Sequence, residues 1–315
     1  MTESCYLGID TSNYTSSLSI VDEQGFVVAN LKIPLAVKSG ERGLRQSDAV
    51  FQHTKNMPEL FSMAEPYFEK YTPIAVGVSV SPRSCEGSYM PCFLAGKAVA
   101  HSMSKILRIP LFELSHQNGH VMAACYSGGA PKNLLEGPFL AFHVSGGTTE
   151  ALLVKPNGSD FVCEIIGGTK DINAGQAIDR VGVAMGLAFP CGAELEKLAL
   201  SCTDKIPHTN ICVNDGFCNL SGLENKAVKL FEETKNSNLV AAYVLDFVGA
   251  TLERITDSIK AEFPEYPIVY SGGVMSCSLL QKRLKKENTY FAEPKFSSDN
   301  AAGIALLCRR AFLSK

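Results

Sequence analysis

What this chain lacks narrows its chemistry first. No Cys-x-x-Cys pair occurs among its eleven scattered cysteines. An odd number of thiols at irregular spacing fits reduced cysteines in a cytoplasm rather than a disulfide framework. No charged-then-apolar leader opens the sequence, and no apolar run approaches the roughly 20 residues of a membrane span. A cytoplasmic protein without a membrane partner is therefore expected. There is no long block of one charge sign, and the formal net charge is only −3. Nucleic acid would have to be held through a local basic patch or with help from partners. Neither a Walker A loop nor a Rossmann glycine fingerprint is present, so any nucleotide must be held by other means.

With 315 residues, the chain is long enough for two domains and a large core. It reads as one plan used twice. Tyr6 to Val21 form a strand, a turn of small hydroxyl residues and a second strand; Phe139 to Val154 repeat this around Ser145-Gly146-Gly147-Thr148-Thr149. The second half of the plan also recurs. Ile74 to Val80 is an apolar strand ending in Ser81-Pro82-Arg83-Ser84, followed by a helix over about Phe93 to Leu107. Ile268 to Tyr270 ends in Ser271-Gly272-Gly273 and precedes a helix through Leu279, Leu280 and Leu284. Common strand-turn patterns also recur by coincidence, but the order here suggests a duplicated α/β domain with a cleft between the copies. The boundary falls between residues 1–134 and 135–315.

Three turns of small residues bear on function: the two hairpin turns and Ser271-Gly272-Gly273. Backbone N–H groups and hydroxyls in Gly, Ser and Thr turns can surround phosphate oxygens without steric penalty. A single Ser-Gly-Gly turn is usually only a turn. Val144 to Gly147, together with Gly272 and Gly273 ahead of a helix N-terminus, point toward an adenine nucleotide. Asp171 is placed to cap a helix that carries Asp179 deeper along it. Asp179 could hold a ribose hydroxyl or simply face solvent. Residues Asp204 to Gly222 read as loop, and Val228 to Phe263 as mostly helical. Asp299 precedes the apolar helix Ala301 to Leu313, where an N-cap is the simple reading.

His116 and His120 lie one helical turn apart on one face, so their rings can converge on one ion or merely hydrogen-bond locally. A zincin needs Glu directly after the first histidine; Gln117 cannot take a proton at neutral pH, which argues against that type of proteolysis.

Taken in order, these residues resemble the TsaD family, the threonylcarbamoyl transferases of tRNA modification long labelled O-sialoglycoprotein endopeptidases, or glycoproteases. The resemblance rests on Leu7-Gly8-Ile9-Asp10-Thr11-Ser12, His116-x-x-Gly119-His120 and Val144-Ser145-Gly146-Gly147. It continues through Asp171 to Asp179, Gly186-Leu187-x-x-Pro190, Ser221-Gly222-Leu223, Gly272-Gly273-Val274 and Ser298-Asp299-Asn300-Ala301. It implies an actin-like ATPase fold, shared with acetate and sugar kinases and heat-shock chaperones. It also implies a metal triad of His116, His120 and Asp299, which shifts Asp299 from cap to ligand. Iron or zinc would suit such a donor set. Val144, Ser145, Gly146, Gly147, Asp179 and Gly192 would surround the adenylate of a threonylcarbamoyl-adenylate donor. The acceptor would be an adenosine in a tRNA anticodon loop, with a TsaB-like subunit and an ATPase subunit as partners; a homodimer stays open.

The chain also departs from the family pattern. Acidic residues of the first hairpin turn are replaced by Tyr14 and Thr15, and the histidine after Ser-Gly-Gly by Thr148. Ile172 replaces an aspartate, Gln176 a glutamate, Glu224 a lysine and Cys277 an asparagine; Ser81-Pro82-Arg83-Ser84 replaces a Gly-Pro-Gly loop. Two readings follow: a metal-dependent transferase, or a divergent nucleotide- and metal-binding paralogue that regulates or scaffolds. Peptidase activity ranks below both, as does a kinase, for which no carboxylate serves as base. Lys282, Arg283, Lys285 and Lys286, with the pair Arg309-Arg310, form either a tRNA contact or solvated helix faces.

Overall fold

The computed structural model describes residues 2–12, 14–37 and 44–315. Asn13, inside the first expected hairpin turn, lies outside them. In chain order the elements are β1 (Glu3–Asp10), β2 (Thr15–Asp22), β3 (Val27–Pro34), α1 (Gln46–Phe68), β4 (Tyr71–Ser81), α2 (Phe93–Leu107), β5 (Leu111–Ser115) and α3 (His116–Ser127). There follow β6 (Phe139–Val144), β7 (Thr149–Asn157), β8 (Asp160–Thr169), α4 (Ala174–Ala184), α5 (Gly192–Leu200), β9 (Val213–Asn214) and β10 (Phe217–Cys218). The chain ends with α6 (Ser221–Thr234), α7 (Ser237–Glu262), β11 (Ile268–Ser271), α8 (Ser278–Leu284), β12 (Thr289–Phe291), α9 (Pro294–Ser297) and α10 (Ala302–Leu313).

The duplication expected from the sequence appears in the strand orders. One sheet runs β3-β2-β1-β4-β5, and the other contains β8-β7-β6-β11-β12 as the same series. In both, the central strand pairs antiparallel with the next strand of its hairpin and parallel with a later strand. The second sheet is extended by β10 and β9, so the stretch read as loop contains a short hairpin. The stretch Val228 to Phe263 is mostly helical as expected, formed by the end of α6 and by α7, which are separated where Lys235 adopts a left-handed conformation.

Packing divides the chain into two compact units. Unit 1 comprises Met1–Ser127, Pro156–Cys163 and Ser298–Lys315; unit 2 comprises Gly128–Lys155 and Glu164–Ser297. A single cut between 134 and 135 does not describe this division, because α10 belongs with the first sheet. The physical reason lies in the strands it covers. β1 is buried over both of its faces, as strands covered by helices on each side must be. Cys5, Leu7 and Ile9 face one cluster with Met57 and Leu60 of α1, whereas Tyr6 faces Ala305 and Cys308 of α10. On the α10 side, the paired residues Gly8 and Gly77 present no side chain. A Cβ on Gly8 would meet Ala301 O and Ala305 N at 2.5 Å, and one on Gly77 would meet Cys308 Cβ at 2.8 Å. Gly303 packs likewise against the backbone of Gly119 and Ala123 in α3. These glycines let helix backbone sit directly on strand and helix backbone.

The core of unit 2 gathers Leu140, Phe142 and Val144 of β6 with α4, α5 and the long α7. No described helix is long and apolar enough to cross a membrane.

Unit 1 also buries a polar network on α1. Ser16 Oγ accepts from Asn56 Nδ2 at 3.1 Å and lies 2.8 Å from His53 Nδ1. Either Ser16 Oγ or His53 Nδ1 can donate in this pair, and His53 Nε2 is a buried atom without a hydrogen-bond partner among the described residues. Burial pushes the His53 imidazole from 6.5 down to about 4.

Two predictions follow from these packing details. Gly303→Ala should lower unfolding stability by about 1–3 kcal/mol, because backbone rather than a flexible side chain obstructs the new methyl. Gly222→Ala, whose methyl would enter open space, should not lower it; urea titrations of both variants provide the check. Between pH 6.5 and about 4 the unfolded chain binds a proton at His53 that the folded chain does not. Stability should therefore fall as pH drops through that window, and less steeply in His53→Gln. Parallel slopes in the two proteins would refute the assignment.

Candidate functional site

The carboxyl ends of β1, β4 and β5 converge in unit 1, the usual place for a site in an open α/β sheet. Asp10 ends β1, and α3 begins at His116 directly after β5. Asp299 belongs to the segment just before α10. Asn300, not Asp299, serves the start of that helix, its Oδ1 accepting from Ala302 N at 3.0 Å. The carboxylate of Asp299 lies against the two histidines.

His116, His120 and Asp299 come together, each offering one ligand atom within 4.8 Å of the others. His116 Nε2 and His120 Nε2 are 3.0 Å apart, and Asp299 Oδ1 lies 3.3 Å from His120 Nε2 and 3.7 Å from His116 Nε2. A circle through these three atoms has a radius of about 2 Å, which suits the ~2.0–2.2 Å bonds of imidazole and carboxylate to a zinc-like ion. The donor set and its spacing therefore fit a divalent metal.

A second layer supports the first. Asp10 is fully buried, and its Oδ1 lies 3.1 Å from His116 Nδ1. A carboxylate accepts, so Nδ1 carries the proton and the Nε2 lone pair faces His120 and Asp299. Ser12 Oγ donates to Asp10 Oδ2 at 2.5 Å, and Ser79 Oγ donates to Oδ1. Burial opposes the charge on Asp10, but the positive field of His116 and these hydrogen bonds hold its carboxyl below the usual range. Burial likewise opposes protonation of His116, yet Asp10 and Asp299 outweigh it and raise the imidazole. His120 moves down, through burial and repulsion by His116. Asn118, between the two histidines, donates to Asp160 Oδ1 and Phe161 O at 2.8 and 2.9 Å and so ties α3 to the β7–β8 hairpin tip.

Unit 2 holds the glycine turns. Val144 ends β6, and Gly272, in a left-handed conformation at φ 97°, packs flat against its backbone; no side chain would fit there. Gly175 at the start of α4 abuts the Ser145–Gly146 backbone, with Gly175 N donating to Ser145 O at 3.1 Å. Val144, Ser145, Gly146, Gly147, Gly272 and Gly273 thus form one cluster at the N-terminus of α4. A Cβ on Gly146, Gly147, Gly192 or Gly273 would meet nothing within 4 Å, so backbone is exposed there. Gly147 N and Thr148 N donate to Ser145 Oγ at 3.3 and 3.1 Å, so an incoming oxyanion must compete with that hydroxyl.

Asp179 is partly buried rather than simply facing solvent. Its Oδ1 accepts from Cys191 N at 2.8 Å, which places it beside Gly192 at the start of α5, and burial raises its carboxyl. Asp171 caps a different helix from the one expected. Its oxygens accept from Leu220 N and Ser221 N at the start of α6, while α4 is capped by Asn173 with Gln176 in a reciprocal capping box.

Other residues that depart from the family pattern also have structural work. Glu224 pairs with Arg180 at 3.3 Å. Of the basic cluster, Arg283 binds Asp246 and Glu253 of α7 at 2.7 and 2.9 Å, and Lys286 binds Asp257 at 2.8 Å. Arg309 donates to Glu23 O, and Arg310 stacks over the Phe161 ring at 5.3 Å. These contacts favour the solvated or structural reading over a tRNA patch.

Sequence reasoning assigned no role to Asp10, whose signal was a lone carboxylate ending an apolar strand. Ser79 and Asn118 carried no signal at all.

The comparisons with known proteins agree with this architecture. A profile of the family described as TsaD, tRNA N6-adenosine threonylcarbamoyltransferase, matches residues 70–306. The chain is 29% identical to a protein of that name from Streptococcus equi subsp. zooepidemicus, over 97% of this chain and 91% of that one. It is also 29% identical to one from Streptococcus pyogenes, over 97% and 90%. Among solved structures, component A of (R)-2-hydroxyglutaryl-CoA dehydratase from Acidaminococcus fermentans is similar with a TM-score of 0.58 at 15% identity, covering 98% of each chain. A ROK family glucokinase from Streptomyces griseus is similar with a TM-score of 0.54 at 12% identity, over 97% of this chain and 99% of that one. At such identities the likeness concerns the actin-like fold alone.

Asp10→Asn would put an amide where His116 Nδ1 needs an acceptor. Zinc affinity of the variant, measured by chelator competition, should fall by about tenfold to a hundredfold while far-UV circular dichroism stays unchanged.

Proposed function

Since the chain belongs to the TsaD family of tRNA N6-adenosine threonylcarbamoyltransferases, we propose that it is a metal-dependent acyltransferase moving a threonylcarbamoyl group from threonylcarbamoyl-adenylate to adenosine in a tRNA anticodon loop. The observation that carries this reading is the His116–His120–Asp299 triad with Asp10 behind it. His116, His120 and Asp299 would hold one divalent ion, iron or zinc. When bound, that ion supplies Lewis-acid polarisation and orientation of the acyl donor. Asp10 keeps the His116 proton on Nδ1 and so fixes the ring that binds. The Val144–Gly147 turn with Gly272 and Gly273 would receive the adenylate phosphate through backbone N–H groups, and Asp179 with Gly192 would flank its sugar. The exocyclic amine of adenosine is a weak nucleophile, so holding both reactants in place carries much of the rate. A TsaB-like subunit, an ATPase subunit and a second copy of the chain are the partners this reading admits.

A second reading, a nucleotide- and metal-binding paralogue without transferase activity, is supported by a specific observation. Glu224 and Gln176, at positions where the family differs, are engaged in an ion pair and a helix cap. Removal of several charged groups from one site should depress turnover far more than any single loss.

One experiment separates the two. Purified protein is supplied with threonylcarbamoyl-adenylate, unmodified tRNA and the partner proteins, and threonylcarbamoyladenosine is quantified by mass spectrometry. Product is expected, together with stoichiometric iron or zinc. His116→Ala and Asp299→Ala should lose the metal and at least about a hundredfold in rate. Absence of product from protein that holds both metal and adenylate would establish the second reading. Full metal content in both variants would remove this centre from the function.

A further inference from the structure

Two residues along a helix is a turn of about 200°, so Asn118 leaves α3 on the side away from His116 and His120. Asn118 is fully buried, and each end of its amide meets partners of the opposite hydrogen-bonding kind. Nδ2 donates to Asp160 Oδ1 at 2.8 Å and to Phe161 O at 2.9 Å, with Ser84 Oγ at 3.2 Å. Oδ1 accepts from Cys163 Sγ at 3.3 Å. A carboxylate and a carbonyl can only accept, so they demand the amide nitrogen and fix which way Asn118 faces. Asp160, Phe161 and Cys163 all belong to the hairpin segment Pro156–Cys163, which packs within unit 1.

The other sides of α3 are held differently. Gly303 packs on the Gly119 backbone and sets the distance to α10, while Gln117 N donates to Pro82 O at 3.0 Å. A backbone-to-backbone seat limits approach, but it resists rotation about the helix axis less. Asn118, opposite the imidazoles, works against that rotation. An imidazole nitrogen lies about 6 Å from the axis, so a rotation of about 10° moves it by about 1 Å. Metal–ligand distances tolerate only about 0.2 Å. The amide therefore bears on whether His116 Nε2, His120 Nε2 and Asp299 Oδ1 keep their separations of 3.0, 3.3 and 3.7 Å.

We infer that Asp160 and Asn118 form a positioning pair for the metal centre: the hairpin tip sets the rotation of α3 and with it the convergence of the two imidazoles. This rests on the metal reading above and deepens it. Neither residue touches the ion, and both act through the helix. What the contact needs at position 160 is an acceptor for Asn118 Nδ2, not a charge.

Variants of the fully buried Asn118 would also disturb the core, so the test is made at Asp160, which reaches the same contact from a half-buried position. Full-length wild type, Asp160→Ala and Asp160→Asn are compared. Three properties are measured: zinc affinity by chelator competition, ligand-field absorption of the cobalt(II) form, and urea unfolding of the metal-free protein. Asp160→Asn keeps an acceptor and should stay within about twofold of wild type in zinc affinity, with the same cobalt spectrum. Asp160→Ala should bind zinc about threefold to tenfold more weakly and shift the cobalt absorption, as loss of one hydrogen bond requires. Equal losses in both variants would show that charge at a distance is what matters, and would overturn the inference. So would an Asp160→Ala protein with unaltered zinc affinity and spectrum, whatever its urea midpoint. Weaker zinc binding with an unchanged cobalt spectrum would mark a loss of general stability, against the proposal. Wild type that takes up neither zinc nor cobalt would remove the metal reading itself, and this inference with it.

Discussion

The backbone-to-backbone seat of α10 is the constraint on which the candidate metal centre depends. Gly8 and Gly77 open a side-chain-free track on two adjacent strands, and Gly303 meets Gly119 on α3. A helix held this close leaves no latitude in the segment before it, so Ser298 and Asp299 arrive at the start of α3 in a defined place. Close-packed interiors transmit small displacements rather than absorb them. One methyl in this seat would be felt at the ligand atoms, although no glycine of the seat touches an ion.

Electrostatics then shapes what the seat brings together. A fully buried carboxylate is tolerated at Asp10 only because His116, Ser12 and Ser79 all satisfy it. The same hydrogen bond that stabilises Asp10 determines which imidazole nitrogen of His116 faces the ligand position. Folding and ligand geometry are thus served by one contact. The buried partners of the site are therefore needed by the fold itself.

Unit 2 shows the opposite economy. Its glycine turns satisfy many of their own donors, through Ser145 Oγ, and its acidic residues cap helices: Asp171 at α6 and Asp179 at Cys191. Positions where the family differs, Glu224 and Gln176, have been taken into ion pairs and caps. Such contacts stabilise the unit whether or not a nucleotide is bound. Membership of the TsaD family is therefore compatible with wide variation in how strongly the turns hold an adenylate.

Local pattern determined much of this protein from the sequence alone. The hairpins, the apolar strands and the helix over Phe93–Leu107 follow from alternation and turn chemistry that neighbouring residues carry among themselves. The one-turn spacing of His116 and His120 likewise settles that their rings can meet. What distant parts of the chain do to one another lay beyond such patterns. Only tertiary structure brought Asp299 to the histidines, 179 positions after His120 in the chain, assigned the capping of α6 to Asp171, and gave Asp10 and Asn118 their neighbours. A carboxylate or an ammonium at one position looks the same in sequence whether it faces water, a helix end or an ion. Its role is decided by the charges and donors that folding places within a few ångströms, and those come from elsewhere in the chain.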